Sequence, residues 1–79
     1  MGLWWSRRAT KLEVLAFIRE REVVGPMHLV DHFGYRYWGA RKRLYNLSKQ
    51  GLAVNIGVGE WTLTEAGYER LFYLKSREG

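Results

Sequence analysis

The clearest pattern of apolar and polar positions lies between residues 35 and 50. Ala40, Leu44 and Leu47 are separated by four and three residues, which places them on one face of a helix. The opposite face has cations interleaved with aromatic rings, namely Trp38, Lys42, Tyr45 and Lys49. The pattern predicts a helix over residues 35–50 with a buried aliphatic face and an exposed cationic, aromatic face.

A first helix is predicted upstream from a capping signal and a second apolar stripe. Thr10 and Glu13 fit a capping box, in which each side chain accepts a hydrogen bond from the other residue's backbone N–H. We expect the helix to begin after Thr10 and to run to about Glu22. Its core side chains are predicted to be Val14, Leu15 and Ile18.

Glycine and proline mark the next boundaries. Residues 23–24 predict a short extended segment, and Pro26 suits the first position of a second helix, where its missing N–H costs nothing. This helix is predicted to end at Phe33, with Gly34 as the residue that stops it. Gly51 is predicted to end the third helix in the same way.

Two β-prone runs, residues 52–56 and 60–63, flank a loop that contains glycine. They predict a β-hairpin whose core-facing side chains are Ala53 or Val54, together with Trp61 and Leu63. A fourth helix is predicted from Glu65 to about Arg77, with Thr64 as its cap. Thr62 and Glu65 also fit a capping box, which is the alternative start.

These elements predict one small domain of class α+β, mainly α. Residues 1–9 are expected to form a leader and residues 10–79 the domain, since 79 residues support a single core. The chain has no cysteine, which excludes disulfides and thiolate zinc ligands. No apolar run approaches the roughly 20 residues of a membrane span, and we expect a cytoplasmic, nucleoid-associated protein.

The positive charge is concentrated in the third predicted helix. The chain has 13 Lys and Arg against 8 Asp and Glu, a net charge of +5. Five of these cations and no acid fall within residues 35–50, which leaves 8 cations and 8 acids elsewhere. Solvated helices usually mix both signs of charge and gain pairs four residues apart. The expected partner is therefore a polyanion, above all nucleic acid.

No set of residues in the sequence predicts catalysis or metal binding. His28 and His32 lie four residues apart on a predicted helix, but a zinc site needs at least a third protein ligand. We interpret both histidines as surface residues near the nucleic acid. We expect no enzymatic activity, no cofactor, no metal and no small-molecule substrate.

The order of elements and three motifs resemble the winged helix-turn-helix domain of prokaryotic transcription regulators, of the multiple-antibiotic-resistance and phenolic-acid-response types. The motifs are LVDHFG at residues 29–34, LYNLSKQGL at residues 44–52 and WTLTEAG at residues 61–67. The resemblance covers Thr10 to about Leu74 and implies a DNA-binding domain. In that family the third helix enters the major groove, and the hairpin, or wing, lies along the backbone or in the minor groove.

The resemblance also implies which residues would contact DNA. Base and phosphate contacts would come from Arg36, Tyr37, Trp38, Arg41 and Lys42. Further phosphate contacts would come from Arg43, Tyr45 and Lys49. The candidates in the wing are Asn55 and the tip at Val58. The implied function is that of a transcription regulator that binds double-stranded DNA through residues 35–50.

Two departures from the family leave other functions open. Bulky side chains replace the usual small polar residues at the start of the third helix, and the wing tip has no cation. Aromatic rings at that position would suit stacking on unpaired bases of single-stranded DNA or RNA. A protein-interaction module with Tyr35, Tyr37 and Trp38 as a hot spot is a second alternative. A sequence-neutral architectural binder is a third.

The sequence has more apolar surface than one small core requires. The residues concerned are Trp4, Trp5, Leu12, Phe17, Tyr68 and Phe72. Small regulators of the resembled type commonly pair through their terminal helices, so we expect a homodimer that uses some of these side chains. Such a dimer would place two third helices roughly 34–36 Å apart on a palindromic site.

Overall fold

Four helices and one β-hairpin follow each other along the chain. The computed structural model describes residues 9–78. The elements are α1 Lys11–Arg21, α2 Pro26–Phe33, α3 Tyr37–Lys49, β1 Ala53–Gly57, β2 Glu60–Leu63 and α4 Glu65–Glu78. The predicted class, α+β and mainly α, is confirmed. No helix in residues 9–78 has the length and apolar character needed to cross a membrane.

The capping box predicted at the start of α1 is present. The backbone N–H of Glu13 donates to the Thr10 hydroxyl at 3.1 Å, and the backbone N–H of Thr10 donates to Glu13 Oε1 at 2.9 Å. The helix ends at Arg21, because Glu22 turns the chain with a φ of 72°. The Thr62 hydroxyl holds this turn by donating to the Glu22 carbonyl at 2.6 Å.

The boundaries of α2 and the end of α3 agree with the prediction, whereas the start of α3 differs from it. Pro26 occupies the first turn of α2, and Gly34 ends that helix with a φ of 80°. The predicted helix over residues 35–50 begins two residues too early, whereas the predicted stop is confirmed, because Gly51 follows the C-cap with a φ of 78°. Arg36 has the extended backbone of an N-cap residue, so α3 begins at Tyr37, and Gln50 is the C-cap residue that follows its last turn.

Both histidines of α2 make contacts within the protein. The backbone N–H of Gly25, just before the helix, donates to Nδ1 of His28 at 2.8 Å. The ring of His32 stacks on Phe17, with ring centroids 4.4 Å apart. Within residues 9–78, no group of three or more His, Cys, Asp or Glu is placed to hold a metal ion.

The hairpin is antiparallel, with Ala53 opposite Leu63. Val24 forms an isolated bridge with Trp61, which confirms the predicted extended segment before α2. On the predicted core-facing side, Ala53 and Leu63 are buried and Trp61 is partly buried, whereas Val54 is exposed. Within residues 9–78, β1 pairs with β2 alone, so the other edge of β1 has no strand partner in this part of the chain.

The core lies where α1, α2 and α3 meet the hairpin and α4. The side chains predicted to be buried in α1 and α3 are all buried, namely Val14, Leu15, Ile18, Ala40, Leu44 and Leu47. Leu12 and Phe17, which we expect on a dimer surface, pack against this core and are partly buried. The extra apolar face of α1 is therefore largely used within the chain.

The start of α4 is joined to the end of α3 through one side chain. The Thr64 hydroxyl donates to the Gly51 carbonyl at 2.6 Å and accepts from the backbone N–H of Gly67 at 3.0 Å, which confirms Thr64 as the cap. Gly67 is buried, and a Cβ at this position would lie 2.1 Å from the Leu52 carbonyl oxygen. The absence of a side chain at residue 67 thus allows α4 to pack directly on the β1 end of the hairpin.

Candidate nucleic-acid interface

The outward face of α3 exposes large aromatic rings. Trp38 is 72% exposed, Tyr45 57% and Tyr37 44%, whereas Ala40, Leu44 and Leu47 on the other face are buried. The division into a buried aliphatic face and an exposed cationic, aromatic face is confirmed. The rings of Tyr37 and Trp38 touch each other, and a contiguous exposed apolar patch is a candidate surface for a partner.

Cations on α3 lie over these rings. The Arg41 guanidinium is 5.3 Å from the Trp38 ring centroid and 6.0 Å from that of Tyr37. The Tyr37 and Trp38 rings meet edge to face, with centroids 5.4 Å apart. Further along the helix, the Lys49 ammonium lies 5.4 Å from the Tyr45 centroid. Such cation–π contacts hold the rings and keep positive charge next to them.

Most of the positive charge on α3 is not neutralised by the protein. Arg36, Arg41, Lys42 and Lys49 are exposed, and none of them makes a salt bridge within residues 9–78. The helix itself contains no Asp or Glu. The surface therefore has four cations that solvent ions or a polyanion would neutralise.

Arg43 differs from the other cations of α3, because its side chain supports the fold. Its Nε donates to the Tyr35 hydroxyl at 3.2 Å, and one of its terminal nitrogens donates to the Ala9 carbonyl. Ala9 is buried and Arg43 is partly buried. The phosphate contact predicted for Arg43 would compete with these bonds, so Arg43 is less available to a partner than the other cations.

Arg43→Ala is expected to lower the free energy of unfolding by about 1–3 kcal/mol, because the Ala9 carbonyl and the Tyr35 hydroxyl would lose a charged donor. Urea denaturation followed by circular dichroism measures the change. Arg36→Ala, which removes an exposed arginine side chain with no such bonds, is the matched control and should change stability by less than about 0.5 kcal/mol. Equal effects of the two substitutions would contradict the structural role of Arg43.

Two open grooves flank α3. The hairpin groove, about 610 Å³, lies between α3, the start of α2 and the hairpin; it is lined by Pro26, Tyr37, Arg41, Asn55, Gly57, Val58, Gly59 and Trp61. The tryptophan groove, about 520 Å³, lies on another side of α3 and is lined by Tyr35, Arg36, Trp38, Gly39, Lys42, Arg43 and Asn46. None of these described lining residues is acidic.

Most of the predicted contact residues line one of the two grooves. Tyr37 and Arg41 share the hairpin groove with Asn55 and Val58, and the remaining residues from the start of α3 line the tryptophan groove. Tyr45 and Lys49 line neither groove and lie nearer the end of the helix. Pro26, Trp61 and Asn46 line the grooves but were not predicted as site residues.

The hairpin contributes shape and apolar surface to the site rather than positive charge. Val58 at the tip is fully exposed, and the strands contain one charged residue, Glu60. The Asn55 side-chain amide donates to the carbonyls of Gly57 and Glu60, each at 2.9 Å, and so braces the tip. Asn55 is therefore partly committed to the turn, while Val58 is available for contact.

Two of the side chains expected in a dimer remain exposed on α4. Phe72 is 58% exposed and lies 5.9 Å from the Arg19 guanidinium, and Tyr68 is 37% exposed. Trp4 and Trp5, which we expected to share this role, lie outside the described residues.

Comparison of the chain with models of protein families, with curated protein sequences and with solved structures found no match. The geometry and charge of α3, the hairpin and the two grooves are therefore the observations that bear on the function of this chain.

Proposed function

We propose that this chain is a small winged-helix DNA-binding protein that regulates transcription, with α3 as its recognition helix and the β1–β2 hairpin as its wing. The observation that carries the proposal is the exposed face of α3 and its N-cap residue Arg36, which together have four cations without a counter-charge in the described part of the chain. The order of elements, with the Val24 bridge beside the hairpin, supports the winged-helix assignment.

In the proposed complex, α3 lies in the major groove of double-stranded DNA. Arg36, Lys42 and Lys49 neutralise phosphates and release counterions, while Arg41 reaches base edges or the backbone. Arg41 and the hairpin line the same groove. The phosphate backbone of the DNA would therefore run between α3 and the wing. The protein would act by occluding a promoter or by recruiting another factor there, as a cytoplasmic, nucleoid-associated regulator.

A second copy of the chain is part of the proposal. The exposed Phe72 and Tyr68 of α4 would be covered in a symmetric homodimer. The two copies of α3 would then contact successive major-groove segments, roughly 34–36 Å apart. Leu12 and Phe17 are partly buried against the protein's own core, so they would contribute less to this surface than the exposed Phe72 and Tyr68.

A salt titration of binding to a fluorescein-labelled duplex tests the proposed function. If each of the four free cations neutralises one phosphate, the slope of log K against log salt should be about −3.6 for each copy. For a single copy, affinity should then fall about 150-fold between 50 and 200 mM salt. Absence of binding at 50 mM salt, or an affinity that does not change with salt, would contradict the proposal. Sedimentation of the complex counts the copies bound.

The exposure of Trp38 favours one other function, that of a protein-docking module. An exposed tryptophan with an arginine beside it is the composition of an interface hot spot. In that case the chain would capture an acidic protein and would fail to bind duplex DNA at low salt. The same titration, repeated with an acidic protein in place of the duplex, separates the two functions.

A further inference from the structure

We infer that the tryptophan groove binds an unpaired nucleotide of DNA, with its base stacked on Trp38 and its phosphate held by Lys42 and Arg36. The preferred target is then a duplex with a locally unpaired base rather than a continuous duplex. This inference rests on the DNA binding proposed above and specifies the ligand of that same surface.

Trp38 is positioned for stacking by its neighbours. The Arg41 guanidinium lies over the indole at 5.3 Å, and Tyr37 meets it edge to face at an interplanar angle of 73°. These contacts support the ring from α3 itself, yet 72% of the residue remains exposed. The open surface of the indole can therefore accept a flat partner, and the nearby guanidinium adds positive charge to the site.

The groove beside Trp38 offers partners for each part of a nucleotide. Lys42 and Arg36 are exposed cations without salt bridges in the described chain, which suits a phosphate. The amide of Asn46 lines the same groove and can donate to and accept from a base edge. Arg43 is held by Ala9 and Tyr35 and adds positive charge at the groove wall.

Stacking requires a base whose face is accessible. In a continuous duplex, each base is covered above and below by its neighbours, and the major groove presents only base edges. An indole placed there gains contact with a thymine methyl group at most. A bulged or frayed base exposes its face, and stacking it on an aromatic side chain strengthens binding by roughly 5- to 150-fold.

The test compares three DNA probes of matched sequence: a continuous 20-bp hairpin closed by a non-nucleotide linker, so that every base is paired, the same hairpin with a two-nucleotide bulge, and the unpaired strand. Fluorescence anisotropy at 100 mM salt gives the affinities. The bulged hairpin should bind about tenfold more tightly than the continuous one. Trp38→Ala should remove this preference and change affinity for the continuous hairpin less than about threefold, while Trp38→Phe should keep part of it.

Tyr73→Ala is the matched control, because Tyr73 is an exposed aromatic residue of α4 that lies outside both grooves. It should leave the preference unchanged. Equal affinity for the continuous and bulged hairpins, or a preference that persists in Trp38→Ala, would overturn the inference while leaving duplex binding intact. Tightest binding to the unpaired strand, lost in Trp38→Ala, would support stacking on Trp38 and overturn the duplex target. Absence of binding to all three probes at 50 mM salt would overturn both proposals.

Discussion

The double substitution R41E/K42E is expected to lower affinity for duplex DNA by about 100-fold or more at 100 mM salt. Arg41 and Lys42 are both exposed, and neither makes a salt bridge within the described chain. Replacing two cations by two anions removes the attraction to phosphate and adds repulsion, and each contact is worth roughly 1–3 kcal/mol. Fluorescence anisotropy with a labelled duplex measures the loss.

The matched control is K75E/R77E, which changes the net charge by the same amount on the last turns of α4. If DNA binding depends on the face of α3 rather than on overall charge, this variant should bind within about threefold of the unsubstituted protein. A comparable loss in both variants would show that binding is a general response to charge and would contradict the assignment of α3. Thermal unfolding of both variants checks that the fold is kept.

Gly67→Ala should destabilise the fold by about 3 kcal/mol, although alanine is normally the better helix former. The added methyl group would lie 2.1 Å from the Leu52 carbonyl oxygen and 3.2 Å from a methyl carbon of Leu63. Neither α4 nor the start of β1 can withdraw without losing core contacts, and overpacking of this kind costs about 1–3 kcal/mol or more. Thermal unfolding should show a midpoint lowered by more than about 10 °C.

Gly39→Ala provides the contrasting control within α3. A Cβ at residue 39 meets only a ring carbon of Tyr35 at 3.7 Å, which is an ordinary contact. This substitution should stabilise the protein by roughly 0.5–1 kcal/mol, since alanine loses less backbone entropy in a helix than glycine. Similar effects of the two substitutions would contradict the close packing of α4 on the hairpin.

Local signals in the sequence predicted most of the elements, because their causes lie within a few residues. The Thr10 cap of α1, Pro26 at the start of α2 and the glycine at its end are each set by backbone hydrogen bonding or by φ. The start of α3 lies two residues later than the predicted range of 35–50. Tyr35 continues the pattern of a basic, aromatic helix, but the extended backbone of Arg36 keeps it outside the helix.

The missed features of the candidate site depend on residues far apart in the chain. Arg43 has the composition of a phosphate contact, and only the position of Ala9, 34 residues earlier, gives it a structural role. Pro26 and Trp61 enter the hairpin groove because the hairpin tip packs on the start of α2. A Cβ at Gly25 would lie 2.6 Å from the Gly59 carbonyl oxygen. No pattern in the sequence predicts this close approach of the two glycines.

Within residues 9–78, the edge of β1 opposite β2 has no strand partner, which gives this protein a risk of misassembly. The strand has no charged residue and no proline, and Val54 and Ile56 are exposed on it. Natural proteins usually protect such an edge with lysine, proline or a covering loop, because bare backbone groups recruit strands from other molecules. Concentrated samples would therefore form strand-mediated aggregates, and their apparent mass would have to be separated from that of a dimer formed through α4.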